Sequence, residues 1–370
     1  MKTVVLVHQR EILHYRIAIY SRLSEYLTQR GWRLVVLAQS LQANAPQELA
    51  FHLRLVEAST IEICRTIRSE RPDAVISFVN SKELYLFPML LFLKAARIPA
   101  VYWGHGTDLE DKNSLVKRFV YASEHALCAA VLLYSENQRP FLSSSARAKS
   151  FVARNTIDTS SLRGTGRQRV AVLADFDIRT SRNIICVGRM QRRKRIPDLI
   201  EAFERLHDAD CGLILVGPDA DGCLAGLSHP RIYALGALYG TTVSDLLEAA
   251  DVFCLPGHVG LSIVDAMHCG LPFVTEDVDH APEIMYLKNG YNGYIVPAGD
   301  IETLAERLGR VLTDAELRLR MSAAARQTVR EEASLERMFS GFIAALEHAV
   351  ASKRGPGSRE DPVIDRVSPR

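Results

Sequence analysis

Short apolar runs alternate along the chain with longer segments in which apolar residues recur every three or four positions. In the first half, the runs predict strands over residues 3–7, 33–38, 74–78, 100–103 and 130–134. The segments between them predict helices over 14–30, 61–70, 83–96 and 115–128. Strand–helix alternation of this kind is typical of parallel βαβ units with helices on both faces of a sheet.

A second series of the same kind follows after an interruption near residues 155–182. It predicts strands over 183–187, 212–216, 252–255, 273–275 and 293–296, with helices over 196–206, 242–249 and 260–267. Two long helices, near 301–312 and 314–350, then complete the pattern. We therefore predict a first doubly wound domain over 1–165, a linker over 166–182, a second over 183–335, a helix over 336–352 that packs back on the first domain, and a disordered tail over 353–370.

Composition places the chain among ordinary globular proteins. It has 370 residues, 48% of them apolar and 24% charged, and a net charge of +2, so no global charge points to nucleic acid. Residues 1–180 hold 24 Lys and Arg against 16 Asp and Glu, and the rest hold 21 against 27. The basic half predicts contact with an anionic acceptor or membrane surface through Arg10, Arg16, Arg22, Lys112, Lys117 and Arg118, and ordinary surface charge is the alternative.

Seven scattered cysteines without a C-x-x-C pair favour reduced thiols in a cytoplasmic protein over a disulfide framework or a zinc site. No apolar stretch reaches the length of a membrane span. We expect a protein that is soluble or bound at the inner surface of the cell membrane.

The densest cluster of charge is the turn after the strand at 183–187. Gly188 is followed by Arg189 and by the cations at 192–195. A strand end beside a helix N-terminus, rich in cations, suits a diphosphate, whereas charge runs in general are solvated. Gly217, after the next strand, is either a ligand contact or a tight connection.

A second loop with glycines opens the helix predicted at 260–267. Its candidate ligand contacts are Gly257, His258, Val259, Gly260 and Leu261. Asp265, one turn into the helix, is placed to accept hydrogen bonds from a ribose, or else it is a solvated partner of the helix dipole.

Three further features complete the candidate chemistry. His105 lies between Gly104 and Gly106 after a strand of the first domain, which exposes its ring in a loop. The D-x-D pairs 175/177, 208/210, 219/221 and 277/279 are interpreted as chance matches, not as a metal site. No H-E-x-x-H, G-x-S-x-G or P-loop pattern is present.

The second half resembles the donor-binding domain of retaining GT-B glycosyltransferases of family four. The matching stretches are VGRMQRRKRIPDLIEAFERL, LILVGPDADG and PGHVGLSIVDAMHCGLPFVTEDVDHAPEIMYLKNGYNGYIVPAGD. The first half matches through WGHG, residues 13–16 and the junction from Asn155 to Asp158. The P-G-x-V-G-L pattern is similar to a subset that builds surface polysaccharides or lipid-linked glycans.

The resemblance implies a GT-B fold, two Rossmann-like domains facing a central cleft, and a hexosyltransferase that uses a nucleotide diphosphate sugar with retention and without metal or other cofactor. His105, Arg189 and Lys194 match the catalytic positions. The donor would also meet Gly188, Gly217, residues 257–261, Asp265 and Glu283. Arg16, Gly104 and His105 would lie toward a glycan or lipid-linked acceptor.

One departure from the family pattern keeps alternatives open. Members of the family usually carry Glu, seven residues, Glu across the third segment, where this chain has Gly257 and Asp265. The backbone N–H of Gly257, or His258, would then have to replace the missing carboxylate. A nucleotide-sugar epimerase of the same fold and a non-catalytic binding homologue are the alternatives.

Overall fold

The computed structural model describes residues 1–8, 10–42, 48–78, 83–108, 114–162 and 164–353. Lys112 and the predicted tail beyond its first residue lie outside them. The chain divides into two compact units, Met1–Ala153 with Phe339–Arg370 (unit 1) and Arg154–Met338 (unit 2).

Unit 1 is built on a parallel sheet of seven strands. The strands of the unit, which include the separate pair β2 and β4, are β1 (Lys2–Val7), β2 (Glu11–Ile12), β3 (Trp32–Ala38), β4 (Ser40–Leu41), β5 (His52–Leu55), β6 (Ala74–Phe78), β7 (Ala100–Gly104), β8 (Ala130–Leu133) and β9 (Ser150–Val152). The order is β5-β3-β1-β6-β7-β8-β9, and β2 pairs with β4 separately. Its helices are α1 (His14–Thr28), α2 (Thr60–Glu70), α3 (Leu86–Ala95), α4 (Leu115–Leu127) and α5 (Ser144–Ala148).

Unit 2 is built on a parallel sheet of six strands. Its elements are α6 (Arg169–Ala174), β10 (Arg182–Val187), α7 (Ile196–Glu204), β11 (Cys211–Val216), β12 (Ile232–Ala234), α8 (Thr241–Ala249), β13 (Val252–Cys254), α9 (Ser262–His268), β14 (Phe273–Glu276), β15 (Gly293–Val296), α10 (Ile301–Thr313), α11 (Ala315–Glu332) and the start of α12 (Leu335–Lys353). The strand order is β12-β11-β10-β13-β14-β15.

Both sheets reverse their strand order at the first strand of the unit. β1 lies between β3 and β6, and β10 lies between β11 and β13. In open α/β sheets the crevice at such a switch point, beyond the carboxyl ends of the strands, is where ligands bind. A binding site is therefore expected at the loops after β1 and β10. The strands themselves are buried on both faces, with Val4, Val5, Ile184 and Ile185 inaccessible to solvent.

The predicted linker over 166–182 is wrong. Residues 169–174 form α6, which packs beside α8, and Val172, Leu173 and Ile178 belong to the apolar core of unit 2. The boundary between the units lies at Ala153, twelve residues before the predicted end of the first domain. This helix has less than two turns, so it contains too few apolar positions for a helical hydrophobic period to be visible in the sequence.

The long helix predicted over 314–350 is two helices, α11 and α12, separated at Ala333 and Ser334. The Ser334 hydroxyl accepts from the N–H of Arg337, and the Ala333 carbonyl accepts from the Thr156 hydroxyl. Serine at the start of a helix satisfies backbone N–H groups that would otherwise be unpaired. From Phe339 onward the last helix belongs to unit 1, where the ring of Phe342 lies 4.9 Å from that of Trp103.

Candidate active site

The predicted basic turn continues from β10 at the switch point of the second sheet. Gly188 adopts a φ of 136° and Arg195 one of 54°, with a single turn of 3-10 helix over Arg192–Lys194 between them. The Gly188 N–H donates to the Val216 carbonyl over 2.8 Å, which links the turn to the end of β11. The turn over residues 189–194 therefore lies at the carboxyl edge of the sheet, beside the start of α7.

Three groups meet where the loops after β10 and β11 cross. A Cβ on Gly188 would lie 2.5 Å from Lys194 Nζ, and a Cβ on Gly217 would lie 2.0 Å from the Gly188 carbonyl oxygen. Both glycines are thus required by the close approach of their neighbours. Burial lowers the pKa of Lys194, and the charges of Arg193 and Arg189 lower it further. The ammonium group is held over the glycine backbone.

The cations of the turn differ in whether they form ion pairs within the protein. The guanidinium of Arg195 pairs with Asp198 at 2.6 Å and with Glu276 at 2.9 Å. Arg189 is exposed, and within the described ranges neither Arg189 nor Lys194 forms an ion pair. The two cations that the sequence nominated for a diphosphate are therefore available to an anion.

Gly257 holds the basic turn in place. Its N–H donates to the Lys194 carbonyl and that of His258 donates to the Arg193 carbonyl, each over 2.9 Å. A Cβ at position 257 would lie 2.3 to 2.5 Å from the backbone of Arg193 and Lys194. The expectation that the Gly257 N–H replaces the missing carboxylate as a ligand contact is wrong, because that N–H is already bonded. The tight packing also leaves no room for a side chain.

Val259 has a structural role in the same loop, and its contact with a ligand stays a prediction. Its side chain is fully buried, and its N–H donates to His280 Nδ1 over 3.1 Å. Because Nδ1 accepts, Nε2 carries the proton and donates to the Glu276 carbonyl over 2.8 Å. Burial lowers the pKa of His280, which keeps the ring neutral in this bridge. His280 was not singled out from the sequence, because nothing local distinguishes it.

The remaining candidates in this loop keep free groups. His258 Nδ1 donates to the Asp279 carbonyl over 3.0 Å, which leaves Nε2 without a hydrogen bond in the described part of the chain. The N–H groups of Gly260 and Leu261 likewise have no acceptor among the described residues. Asp265 is half-buried and its carboxylate has no partner there, while burial raises its pKa to about 7.

Glu276 was missed by the sequence analysis. It ends β14 at the same sheet edge, is fully buried, and accepts from Arg195 and from the Gly299 N–H. Its Oε1 atom is buried without a hydrogen-bond partner, and burial raises the pKa of the carboxyl. Because Glu276 anchors Arg195, it positions the turn that carries Lys194. Its sequence signal, a glutamate at a strand end, is too common to distinguish.

Glu283 lies in a different environment from the other nominated donor contacts. It is buried and accepts from the Asn155 amide, and the Tyr286 hydroxyl donates to the Asn155 carbonyl over 2.9 Å. This cluster fastens the first residues of unit 2 to the 3-10 turn Pro282–Tyr286. A contact of Glu283 with the donor stays a prediction.

The D-x-D pair after β11 is occupied by the backbone. Asp219 accepts from the N–H groups of Cys223 and Leu224, and Asp221 accepts from that of Arg192. Both carboxylates shape loops, the second of them at the basic turn itself. Among the residues that the structure describes, no group of three or more His, Cys, Asp and Glu side chains could hold a metal ion.

In unit 1, His105 follows β7 and has a defined tautomer. Gln138 Oε1 accepts from the N–H groups of Tyr134 and Ser135, so its amide nitrogen donates to His105 Nδ1 over 2.9 Å. The proton of the imidazole is therefore on Nε2. Burial lowers the pKa of His105 to about 4, and the charge of Arg16 lowers it further. At neutral pH this histidine is a hydrogen-bond donor through Nε2 and carries no charge.

Gly104 and Arg16 complete the acceptor-side candidates. Gly104 is buried at the end of β7, where a Cβ would lie 2.9 Å from the Tyr102 hydroxyl. Arg16, in the first turn of α1, is 6% exposed and lies over the rings of Tyr15, Phe78 and Trp103. The structure thus brings Arg16 and His105 together at the switch point of the first sheet.

Comparison with known proteins finds similarity to a glycosyltransferase family in the second half of the chain. Residues 181–314 match the family model of the glycosyl transferases group 1. The N-acetyl-alpha-D-glucosaminyl L-malate synthase of Bacillus anthracis is 28% identical over 187 residues, 48% of this chain and 48% of that protein. The phosphatidyl-myo-inositol mannosyltransferase of Mycobacterium leprae is 31% identical over 162 residues, 41% of this chain and 43% of that protein. The chain spans about half the length of these curated relatives.

Comparison of structures supports the fold over nearly the whole chain. The crystal structure of Anabaena Alr3699/HepE in complex with UDP matches with a TM-score of 0.74, covering 94% of this chain and 100% of that one, at 16% identity. The crystal structure of WaaG, a glycosyltransferase involved in lipopolysaccharide biosynthesis, matches with a TM-score of 0.63 over 95% of this chain and 100% of that one, at 17% identity. The predicted fold class is confirmed.

Proposed function

We propose that this chain, which matches the group 1 glycosyl transferases over residues 181–314 and shares the fold of solved glycosyltransferases, transfers a sugar from a nucleotide diphosphate sugar to an acceptor, with retention of configuration and without a metal ion. The acceptor is a glycan or a lipid-linked glycan. The observation that supports this proposal is that Arg189 and Lys194, at the switch point of the second sheet, form no ion pair among the described residues.

The chemistry of the reaction explains why these cations are needed. Breaking the bond between sugar and phosphate builds negative charge on the leaving diphosphate, and preorganised cations stabilise such charge most effectively. Lys194 is preorganised because its ammonium group packs on Gly188 and its backbone is bonded to Gly257. The Nε2–H of His105 is a neutral donor suited to a sugar hydroxyl, and the free carboxylate of Asp265 is suited to a ribose.

The donor site is tested by a thermal-shift panel of UDP, GDP, dTDP and ADP sugars, with EDTA or with magnesium. A ligand at about 100 times its Kd stabilises the folded state by about 2.7 kcal/mol. One nucleotide class should stabilise the protein regardless of EDTA, and the Arg189→Ala/Lys194→Ala double variant should lose that shift. Arg205→Ala is the matched control, because Arg205 is exposed just after α7 and, within the described ranges, forms an ion pair with Glu201 alone.

Turnover separates the transferase from its alternatives. A transferase releases the nucleoside diphosphate faster when an acceptor is added, an epimerase converts the donor sugar without an acceptor, and a binding protein does neither. No shift with any nucleotide would contradict the donor site and leave the binding-protein alternative.

We further propose that unit 1 contacts the cytoplasmic surface of a membrane. Leu115, Val116 and Phe119 are 78%, 73% and 73% exposed, and with exposed Arg118 they form one stretch of α4. Apolar side chains next to cations suit the interface of an anionic membrane. The relative from Mycobacterium leprae is named for a lipid acceptor, phosphatidyl-myo-inositol. No described helix is long and apolar enough to cross a bilayer.

Co-sedimentation with vesicles containing phosphatidylglycerol at low salt tests this contact. The double variant Leu115→Glu/Phe119→Glu should stay in the supernatant, whereas Leu319→Glu, an equally exposed leucine of α11 in unit 2, should pellet as the wild type does. Wild-type protein that stays in the supernatant would disprove membrane contact without touching the donor site.

A further inference from the structure

The guanidinium of Arg16 is a buried cation, and no anion among the described residues faces it. It is 6% exposed, and no carboxylate pairs with it in the described ranges. The ionisable groups that act on it are the phenols of Tyr134, Tyr20 and Tyr15. The Tyr20 phenol is itself buried and hydrogen-bonded to His8 Nδ1 over 2.7 Å, and burial raises its pKa, so it carries no charge at neutral pH. Burying a charge without a counter-ion is costly, so this position needs an explanation.

Aromatic rings supply only part of the answer. The guanidinium carbon of Arg16 lies 5.0 Å from the centre of the Trp103 ring and 5.3 Å from that of Phe78. Ring faces attract a cation, and the Tyr15 side chain adds one hydrogen bond to the guanidinium. Arg16 Nη1 is nevertheless buried without a hydrogen-bond partner among the described residues.

A second donor in the same cluster is also unsatisfied. Trp103 is fully buried, and its Nε1–H has no acceptor in the part of the chain that the structure describes. His105, two residues further, presents an Nε2–H that forms no hydrogen bond within the described chain. Buried donors are nearly always paired in folded proteins. Three N–H donors, one of them charged and none paired with a carboxylate in the described ranges, therefore belong to neighbouring side chains, since Arg16 packs on the Trp103 ring and its charge acts on His105.

We infer that the Arg16–Trp103–His105 cluster binds an anionic group, a phosphate or a carboxylate, carried by the acceptor. The anion site does not depend on the proposed function; only the assignment of the anion to an acceptor does. The proposed donor diphosphate site has its own cations in unit 2, Arg189 and Lys194, whereas Arg16, in the first turn of α1, is a buried guanidinium without a paired carboxylate among the described residues of unit 1. A planar guanidinium binds phosphate or carboxylate oxygens through two parallel hydrogen bonds, which a neutral sugar cannot match.

The chain contains two tryptophans, which provide a site-specific probe. Trp103 contacts Arg16, whereas Trp32 begins β3 and packs against Lys2. The full chain labelled with 5-fluorotryptophan is titrated by ¹⁹F NMR with inorganic phosphate, with pyrophosphate and with acetate, at constant ionic strength. The Trp103 resonance should move saturably with one of these anions while that of Trp32 stays in place. Phosphate and acetate in separate arms identify which anionic group is preferred.

The variant Arg16→Met should weaken the response by about tenfold or more, and Arg16→Lys should weaken it less because the charge remains. Arg22→Met is the matched control on the same helix, because Arg22 is exposed and pairs with Glu25. An unchanged melting temperature and circular dichroism spectrum of each variant establish that it is folded. The inference would be overturned if none of the three anions shifted the Trp103 resonance, or if the shift were the same in Arg16→Met as in wild type.

Repeating the titration with the saturating nucleotide identifies the source of the anion. A response that persists supports an acceptor group, and one that the nucleotide abolishes assigns the site to the donor and overturns the acceptor assignment. Nucleotide binding is read separately by thermal shift. A protein that binds no nucleotide but still binds phosphate at Arg16 would contradict the proposed function and not the anion site.

Discussion

Lys194 Nζ lies 2.5 Å from the point that a Cβ of residue 188 would occupy, so the ammonium group rests directly on the backbone of Gly188. This relationship joins the end of β10 to the start of α7 and fixes the direction of a cation that pairs with no carboxylate among the described residues. It also makes the glycine as important to the site as the lysine.

Replacing Gly188 with alanine should therefore displace Lys194. The φ of 136° adds backbone strain, because side chains disfavour positive φ. A charge-assisted hydrogen bond contributes about 1.5–3 kcal/mol, so loss of the Lys194 contact should weaken nucleotide binding by about 10- to 150-fold. Isothermal titration calorimetry measures the change.

Gly290→Ala is the control for backbone strain alone. Gly290 also has a positive φ, of 77°, but a Cβ there meets no atom within 4 Å. It should lower stability by about 1–2 kcal/mol and leave nucleotide affinity unchanged. Equal affinity in both variants would show that Gly188 serves only the turn.

Restoring the family carboxylate at position 257 should damage the site. In Gly257→Glu, the new Cβ would overlap the backbone of Arg193 and Lys194, which must then move. Overpacking of this kind costs about 1–3 kcal/mol, and in a unit of this size each kcal/mol lowers Tm by about 2–4 °C. Differential scanning calorimetry should show that loss together with weaker nucleotide binding. A variant with wild-type Tm and tighter binding of the sugar would refute the packing argument.

Asp265 should make both stability and donor binding depend on pH. Its pKa is raised by burial to about 7, so the folded state holds a proton that the unfolded state releases near pH 4. The stability associated with that proton is present below pH 4 and is lost as pH rises from about 4 to about 7. Asp265→Asn should therefore be more stable than wild type at pH 8, by at most about 4 kcal/mol. Urea unfolding at pH 5 and pH 8 measures the difference.

Binding should show the opposite trend, because only the ionised carboxylate accepts from two ribose hydroxyls. Affinity for the nucleotide sugar should rise about tenfold between pH 6 and pH 8 in wild type and stay flat in Asp265→Asn. A wild-type affinity that is independent of pH would exclude Asp265 from the ribose site.

His105 should remain neutral throughout the physiological range. Its pKa, lowered to about 4, predicts no titration above about pH 5 and a proton on Nε2 in long-range ¹H–¹⁵N spectra. In Gln138→Glu, a carboxylate replaces the amide that donates to Nδ1, so the ring should take a second proton and its pKa should rise above 6. Gln29→Glu, an exposed change at the end of α1, should leave the spectrum unchanged. An Nδ1-protonated ring in wild type would contradict the assigned tautomer.

Sequence patterns alone located most of the strands and helices and singled out the cations Arg189 and Lys194 at a strand end. Strand runs such as 183–187 and helices such as 196–206 are visible because burial imposes a period that local composition carries. The carboxyl ends of parallel strands share one edge, so Gly188, Gly217 and Asp265 could be placed at a common site without coordinates. The prediction of a linker over 166–182 failed because the six-residue helix α6 is too short to show a hydrophobic period.

Which polar groups stay unbonded depends on contacts between residues that are far apart in the sequence. Gly257 and Val259 look like ligand contacts along the chain, yet the Lys194 carbonyl and His280 accept from their N–H groups. Glu276 pairs with Arg195 across 81 positions of sequence, and Arg16 reaches Trp103 across 87. Whether a charge is neutralised or left for a ligand depends on partners brought together by folding, and no local pattern records such partners.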